Sequence, residues 1–335
     1  MVLTFALAAA LAAPHESRIA FSSCLHQDKP MPFWLALRAT RPDAFLWLGD
    51  NVYADTEDRE KFRAIYGQLA AQPDFQAFAR ETQYIATWDD HDYGLNDGGA
   101  SFPSREMANE LFDEFWGVPP EERAVSGVYA ARYLETDGKR IQIIVLDTRY
   151  FRSDLIRVNN VYQPVTDPNA TILGAAQWAW LEKTLREPAD LRIVMSSIQV
   201  VPEDHVYEKW ANIPAERQRF FDLVKQTQAA GVIVVSGDRH LGEISMMDAG
   251  IGYPLYDVTA SGLNQSRTDW RLQEPNRHRV MSVNYGHNYG LISVDWGQPD
   301  PVVRLELQSD TGETLAQQTL KLSWLKPGRI APPRG

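Results

Sequence analysis

Three apolar runs in this chain each end in a loop that is dense in carboxylate, imidazole or phenol side chains. The loops are 49–53 (GDNVY), 89–92 (DDHD) and 237–240 (GDRH), and they follow the runs 44–48, 84–88 and 232–235. Apolar runs of this length are typical of buried strands. In open α/β sheets, ligands bind at the edge where the carboxyl ends of the strands meet. The pattern therefore predicts an α/β fold in which three polar loops converge on one site.

The rest of the chain alternates strands and helices through the middle and becomes rich in strands near the end. Strands are predicted at 17–23, 44–48, 84–88, 128–134, 140–146, 191–195, 232–235, 254–259, 291–295, 302–307 and 315–322, and helices at 34–40, 57–71, 74–80, 104–116, 174–186 and 215–230. Residues 89–97 are predicted as a polar loop and 153–172 as an irregular insertion. The first strand, helix and second strand form a βαβ unit, which predicts a parallel pair. We expect two mixed β-sheets packed face to face and flanked by helices, as one domain over residues 17–325.

The charge balance argues against one broad class of function. The chain has 335 residues, a formal net charge of −11 and a pI of about 5.2. A general nucleic-acid binder needs a basic face to replace released counterions, so this class is not expected. A phosphate-bearing substrate stays compatible with the acidic balance, because a metal ion supplies local positive charge. The single cysteine, Cys24, allows no intrachain disulfide.

Residues 2–13 form an apolar run that is too short to span a bilayer. The run is typical of the apolar core of a signal peptide, and Ala10-Leu11-Ala12 fits the small-x-small cleavage pattern. We therefore expect residues 1–13 to be a signal peptide and the protein to be exported, either periplasmic or secreted. The positive segment that usually precedes such a core is missing, so a mis-set start codon or an N-terminal core segment stays an alternative. No other segment has the pattern of a membrane span.

Carboxylates on converging loops favour a metal site. Hard cations prefer oxygen ligands, and a site needs several deprotonated groups that meet. A single Asp after a strand has an ordinary alternative, because such loops use Asp in turns and helix caps. Three loops with two or more ligand-type residues each make a metal site the favoured interpretation. Asp50 could then bridge two ions, and Tyr53 could add a phenolate.

The three blocks resemble the metallophosphoesterase superfamily, which carries Gly-Asp, Gly-Asn-His-Asp/Glu and Gly-His-x-His after successive strands. Residues 49–53 are similar to the Gly-Asp-x-x-Tyr variant of purple acid phosphatases. Asp90 stands in place of Asn in the second block, and Asp238 replaces the first His of the third. Further similarity to the PhoD-like branch, alkaline phosphatase D, comes from WDDHD at 88–92, SGDRH at 236–240, the early Ser-Cys, Asp147-Thr148-Arg149 and Gln177-Trp178. The resemblance covers roughly residues 17–295.

This resemblance implies the calcineurin-like metallophosphoesterase fold and a phosphoric ester hydrolase with a mixed Fe³⁺ and Ca²⁺ centre. Other divalent metals are an alternative. Carried over by residue, the iron ligands would be Cys24, Asp50, Tyr53 and His240, and Asp50 would bridge to calcium, with Asp90 and Asp238 completing that side. Thiolate, phenolate and imidazole suit a transition metal, whereas carboxylates suit calcium. The metal pair is expected to bind phosphate oxygens and to lower the pKa of water.

Three residues are candidates for the chemical step. His91 would protonate the leaving alkoxide or stabilise the transition state. Arg149 and Arg239 would contact a phosphate oxygen, because a guanidinium fits it in a bidentate way. The ordinary alternatives are a structural ion pair for Arg239, a loop hydrogen bond for His91 and an inert buried thiol for Cys24.

Other polar residues have weaker assignments. Asn51 and Asn96 could contact substrate or cap turns. Gln199, in SSIQ at 196–199, or water is expected where most metallophosphoesterases have a His. The remaining assignments are orientation of neighbouring groups by Asp89 and Asp92, a substrate wall from His205 and Trp210, and a structural role for His287.

The favoured function is an exported, metal-dependent phosphomonoesterase or phosphodiesterase acting on a small-molecule, lipid or polymer phosphoester. One alternative is a catalytically idle metal- or phospholigand-binding protein on the same fold. Another is a dinuclear hydrolase of a non-phosphate ester, because the residues that bind the metals do not by themselves define the substrate. The sequence leaves the oligomeric state open.

Overall fold

The computed structural model describes residues 16–123, 125–267, 274–283 and 286–328. Its strands are β1 Glu16–Ser22, β2 Ala44–Leu48, β3 Gln83–Thr87, β4 Ala130–Thr136, β5 Lys139–Val145, β6 Ile156–Val158, β7 Val161–Gln163, β8 Leu191–Ser196, β9 Val232–Ser236, β10 Gly242–Asp248, β11 Pro254–Ala260, β12 Arg279–Val283, β13 Asn288–Asp295, β14 Val302–Ser309 and β15 Thr314–Lys321. Its α-helices are α1 Trp34–Ala39, α2 Arg59–Ala70, α3 Pro73–Glu81, α4 Asp90–Tyr93, α5 Arg105–Trp116, α6 Gly174–Leu185 and α7 Pro214–Thr227. Short 3₁₀ turns lie at Trp210–Asn212 and Leu322–Leu325.

The strands form two large mixed sheets. One has six strands in the order β15-β14-β13-β1-β2-β3, and the other has seven in the order β12-β10-β11-β9-β8-β5-β4. The pairs β1–β2 and β2–β3 are parallel, which confirms the predicted βαβ unit. In the second sheet, β5, β8, β9 and β11 are parallel neighbours. The expected class, a mixed α/β fold with two large sheets and helices, is confirmed.

Both faces of the central strands are covered, which explains their continuous apolar sequences. Every residue of β2 and of β9 is buried. One core cluster joins apolar side chains from both sheets, including Phe21, Leu46 and Val234. A second, aromatic cluster lies between the first sheet and the helices that cover it, where Trp34 and Phe78 have ring centroids 5.6 Å apart. These layers hold the carboxyl ends of β1, β2, β3 and β9 in a rigid frame.

Two loop predictions were wrong in part. Residues 90–93 form the one-turn helix α4, because the Asp92 carboxylate accepts the backbone N–H of Asp89 and Gly94 ends the turn with a φ of 110°. The insertion 153–172 contains the hairpin β6–β7. Its turn residues Asn159 and Asn160 both have positive φ, as a type I′ turn requires.

Besides the hairpin β6–β7, the sequence pattern did not predict strands β10 and β12. Strand β10 carries the buried acid Glu243, which breaks a simple apolar pattern. Glu243 is tolerated there because Arg279 and Gln199 donate to its two oxygens. Only this long-range pairing makes an acidic residue compatible with a buried strand.

The predicted signal peptide, residues 1–13, lies outside the described residues. The expectation of one domain over 17–325 stays a prediction. Within the described part of the chain, no helix combines the length and the hydropathy needed to cross a bilayer.

Candidate metal centre

Strand ends deliver the candidate ligands in an unusual backbone conformation. Cys24 follows β1, Asp50 follows β2, and Asp238 and His240 follow β9. These four residues have positive φ values of 62°, 49°, 66° and 56°, respectively. Left-handed backbone is uncommon for residues other than glycine and concentrates at functional sites, where surrounding structure maintains it. These unfavourable backbone conformations turn the four side chains toward one another.

One side of the centre brings together sulfur, phenol and imidazole. Cys24 Sγ lies 3.4 Å from Asp50 Oδ2, and the Tyr53 hydroxyl lies 3.3 Å from the same oxygen. The Tyr53 hydroxyl is also 3.0 Å from His240 Nε2. Cys24, Asp50 and His240 each offer a donor atom within 4.8 Å of the other two. The four residues that the resemblance assigned to iron therefore lie in mutual contact range.

The other side consists of carboxylates. Asp89, Asp90 and Asp238 form a second group with donor atoms within 4.8 Å of one another, and Asp50, Asp90 and His91 form a third. Asp50 and Asp90 each belong to two of these groups. The shared residues connect a sulfur- and nitrogen-rich side to an oxygen-rich side, which is the arrangement expected of two adjacent cation sites.

The buried charges of this centre call for a cation. Burial and the neighbouring Asp90 raise the pKa of Asp50 well above its usual range. Burial also raises the pKa of Asp238 to about 7, against the opposing effect of Arg239. Buried carboxylates are stable when paired or when they bind metal. Two buried oxygens, Asp89 Oδ2 and Asn51 Oδ1, have no hydrogen-bond partner among the described residues.

The remaining donors also fit a metal ion. Burial and the Asp50 charge raise the pKa of the Cys24 thiol, and burial and Cys24 raise the pKa of Tyr53. A bound cation would favour the thiolate and phenolate that these groups otherwise resist forming. Burial and Arg239 lower the pKa of His240 to about 3, which leaves the neutral imidazole that a metal requires.

His91 is held by a residue that sequence reasoning missed, Asp55. His91 Nδ1 lies 2.8 and 2.9 Å from the two Asp55 oxygens, and the His91 and Tyr53 ring centroids are 4.2 Å apart. The backbone N–H groups of Ala54 and Asp55 also donate to the His91 carbonyl. Although burial opposes it, the charges of Asp50 and Asp55 raise the pKa of His91 to about 11. The imidazole is thus oriented beside the ligand group, and the neighbouring carboxylates favour its protonated form.

Asp92 links the first two loops through the backbone. Its carboxylate accepts the N–H groups of Asp50, Asn51 and Asp89, and the Asn51 amide also donates to it at 2.5 Å. Asn51 further donates to the Thr87 carbonyl at 2.8 Å. Asn51 is completely buried, and its amide nitrogen is used in these contacts, whereas its Oδ1 has no partner among the described residues.

Arg149 occupies a buried ion network, in contrast to its expected contact with phosphate. Its guanidinium pairs with Asp89 and lies 2.7 Å from Glu208, which also pairs with Arg152 at 3.0 Å. Arg149 has no exposed surface. Ser197 completes the network by donating to Asp89 at 2.7 Å. The charge of Arg149 also helps to lower the pKa of nearby Asp90 to about 2, against the effect of burial.

The other candidates have varied placements. Arg239 donates to Asp238 Oδ2 at 3.1 Å and to Glu274 at 2.8 Å, so its ion-pair alternative is present beside the centre. Gln199 is fully buried and donates to Glu243 and Thr259, away from the candidate ligands. Asn96 is exposed in the loop after α4.

Two residues of the expected periphery are structural. Trp210 is completely buried and donates to Ser196, so it forms no exposed substrate wall. His287 contacts the Ser266 hydroxyl through Nδ1 at 3.1 Å.

Ser261 is another residue that the sequence did not indicate. Its hydroxyl lies 3.2 Å from Cys24 Sγ and accepts the backbone N–H of His240 at 2.8 Å. His26 likewise stacks on Tyr53, with ring centroids 4.9 Å apart. Neither residue belongs to a recognisable motif, and no local signal in the sequence connects them to the centre.

Comparison with known proteins agrees with this geometry. Residues 19–262 match the family described as PhoD-like phosphatase. Alkaline phosphatase D of Bacillus subtilis (strain 168) is 24% identical to this chain over an alignment of 210 residues, and the match covers 54% of this chain. This chain spans 35% of that curated relative.

A solved structure of PhoD has the same fold. The two structures superpose with a TM-score of 0.74 at 19% sequence identity. The superposition covers 96% of this chain and 73% of the PhoD chain. The family match extends over more than half of the sequence and confirms the resemblance that the motifs indicated. We conclude that this chain belongs to the PhoD-like phosphatase family.

Proposed function

We propose that this protein is a metal-dependent phosphoesterase with a dinuclear centre. The observation that carries the proposal is the convergence of three donor groups linked by Asp50 and Asp90. A dinuclear site suits phosphate ester hydrolysis, because two cations can stabilise both the attacking and the leaving oxygen. Membership of a phosphatase family supports the same class of reaction.

We propose Fe³⁺ and Ca²⁺ as the metals, with other divalent ions as alternatives. Cys24, Tyr53, His240 and Asp50 would hold the iron, because sulfur, phenolate and imidazole suit a transition metal. Asp50, Asp90 and Asp238 would hold calcium, since calcium prefers carboxylate oxygens. Asp90 lies in one donor group with Asp50 and in another with Asp238. When bound, the pair would supply Lewis acidity to phosphate oxygens and to water.

Within this proposal, His91 is the general acid. Its Nδ1 is engaged by Asp55, which fixes the ring and leaves Nε2 for the leaving alkoxide. Arg149 acts indirectly, by holding Asp89 and lowering the pKa of Asp90. Arg239 holds Asp238 in the same manner. Asn96 stays a candidate substrate contact, because its neighbour Asp97 donates a backbone N–H to Asp90.

Export is also proposed, on the apolar run at 2–13 and its small-x-small site. The substrate would be a small-molecule, lipid or polymer phosphoester outside the cytoplasm.

The deciding experiment combines elemental analysis of purified protein with assays on a phosphomonoester and a phosphodiester, with and without added calcium. We expect bound metal and hydrolysis of at least one substrate class. Metal binding without hydrolysis would instead indicate a catalytically idle binding protein. Protein that holds neither iron nor calcium and hydrolyses neither ester would refute the proposal.

Replacement of Cys24 by Ser should lower iron occupancy and leave calcium occupancy unchanged, because only the sulfur side of the centre loses its thiolate. The serine hydroxyl is a far weaker ligand than a thiolate, so iron content is expected to fall about tenfold. Elemental analysis measures both metals in the same sample. Ser323→Ala, in a 3₁₀ turn far down the chain, is the control. Unchanged iron content in Cys24→Ser would remove Cys24 from the ligand set.

Substitutions at His91 and Asp55 should separate catalysis from metal binding. Loss of a general acid is expected to lower kcat about 100-fold in His91→Ala. Asp55→Asn should lower kcat about tenfold, because the ring loses its charged partner. Asp55→Glu should recover part of the loss. Elemental analysis should find normal metal content throughout, and wild-type kcat in His91→Ala would contradict the assignment.

A further inference from the structure

Three cationic side chains contact Tyr207, at its ring face, its hydroxyl and its backbone carbonyl. The Arg239 guanidinium carbon lies 3.8 Å from the centroid of the Tyr207 ring. Arg267 donates to the Tyr207 hydroxyl at 3.3 Å, and Lys209 donates to the Tyr207 carbonyl at 2.9 Å. Arg239 also pairs with Asp238, a proposed calcium ligand. One guanidinium therefore separates the proposed metal ligands from Tyr207.

Lys209 makes no direct ion pair among the described residues. It is only 5% exposed, and its ammonium donates to the Tyr207 carbonyl at 2.9 Å. The two acids closest in sequence are committed elsewhere, Glu208 to Arg149 and Asp204 to Arg277. Burial and the Arg239 charge lower the pKa of Lys209 to about 8, although the charges of Asp204 and Glu208 raise it. A buried ammonium that makes no direct ion pair is stabilised when a ligand brings an anion into contact with it.

His205 adds a second group that lacks a partner. It is 3% exposed, and neither ring nitrogen has a hydrogen-bond partner in the described parts of the chain. The His205 and Tyr207 ring centroids are 6.2 Å apart. Burial, Arg239 and Lys209 all lower the pKa of His205, so the ring is a neutral imidazole with one N–H to donate. A buried polar group is normally hydrogen-bonded, which makes this orphaned ring informative.

We propose that His205 and Lys209 bind a second phosphate group of a small organic bisphosphate whose other phosphate lies at the Asp50 and Asp238 ligands. Phosphate fits because its oxygens only accept hydrogen bonds, and the ammonium and imidazole N–H groups donate them. Lys209 and His205 form the buried end of the site, whereas nearby Arg267 is about one-third exposed and lies 3.9 Å from Glu274. This inference rests on the proposed phosphoesterase function and narrows its substrate class.

The first test compares hydrolysis of 1,3-propanediol bisphosphate and propyl phosphate by the metal-loaded protein. One charge-assisted contact predicts a kcat/KM about tenfold higher for the bisphosphate. Lys209→Met should reduce this ratio to about one, and Lys209→Arg should keep most of it. Lys61→Met, on the exposed side of α2, should leave the ratio unchanged. If Lys209→Met does not fold, His205→Gln provides the second variant and should lower the ratio about threefold.

A binding measurement separates failure of this inference from failure of the phosphoesterase proposal. Propane-1,3-diphosphonate and propylphosphonate, which are not hydrolysed, are titrated calorimetrically into wild type and the same variants. We expect about tenfold tighter binding of the diphosphonate, dependent on Lys209. Such binding without hydrolysis of these two monoesters or of the phosphodiester would refute the phosphoesterase proposal and support the second phosphate site. Equal affinity for both phosphonates in wild type would overturn the site, whether or not the esters are hydrolysed.

Discussion

Replacement of Asp50 by Asn is expected to empty both proposed metal sites and to lower kcat about a thousandfold or more. Asp50 is the residue that belongs to both the sulfur side and the His91 group, so its loss affects two sites at once. An amide is a poorer ligand than a carboxylate and cannot bring a negative charge to two cations. Loss of a residue that only hydrogen-bonds to a metal ligand typically lowers metal affinity by about 10- to 100-fold. Loss of a ligand shared by two metals should lower it further. Elemental analysis and kcat measure the two effects.

The same substitution should stabilise the metal-free protein, although it removes metal binding. Asp50 is buried near Asp90, and burial and this like charge together outweigh the attraction of His91 for the Asp50 charge when no cation is present. Removing one buried like charge should raise the free energy of unfolding of the metal-free protein by about 1 kcal/mol. Metal-loaded wild type should then be more stable than Asp50→Asn, because only wild type gains binding energy.

The control for Asp50 is Asp222→Asn on α7, where the carboxylate is exposed and bonded to Gln218. It should keep metal content, kcat and unfolding temperature. Full metal occupancy in Asp50→Asn would contradict the shared-ligand assignment. Equal stabilities of the two metal-free proteins would contradict the charge repulsion.

Substitution of Gly49 by Ala is expected to destabilise the protein by about 3 kcal/mol or more. Gly49 has a φ of 98°, which disfavours any residue with a Cβ. An added Cβ would also lie 2.5 Å from Asp89 Cβ and 2.6 Å from the Asp89 backbone nitrogen. The backbone cannot move without disturbing Asp50 and Asp89 together, so strain and clash add.

Gly67→Ala is the matched control for Gly49. Gly67 lies within α2, and a Cβ added there meets no atom within 4 Å. Since alanine favours helix more than glycine, this control should stabilise the protein by about 0.5–1 kcal/mol. Denaturant unfolding of both variants measures the difference. A Gly49→Ala protein as stable as wild type would show that the strand end tolerates a side chain.

Local patterns carried most of the correct predictions. The strand at 44–48 and the Asp50 that follows it were visible because a buried parallel strand is apolar throughout. The three polar loops could be aligned in advance, because parallel strands share one carboxyl edge. The one-turn helix α4 was missed because a short run of polar residues is also typical of a loop. The hydrogen bond from the Asp89 N–H to the Asp92 carboxylate that stabilises it is not visible in the sequence.

Contacts between distant segments could not be predicted in this way. Asp55 and His91 carry no mutual spacing signal, yet they meet because the segment after Tyr53 wraps around α4. Arg149 could not be assigned to a buried network until Glu208 was seen to approach it from another loop. The position of Gln199 could not be predicted either, because its amide donates to Glu243, a residue distant in sequence.

The alternating sheet architecture, the three strand-end loops and the residue types that suit two different cations could all be predicted without coordinates. These features follow from periodicity and ligand chemistry, which are properties of short segments. Which groups are buried together depends on the folded chain, and this sets which carboxylates repel, which guanidinium groups form ion pairs and which donors lack acceptors. Burial sets those energies, because a charge or a hydrogen-bonding group removed from water depends on the partners that distant parts of the fold supply.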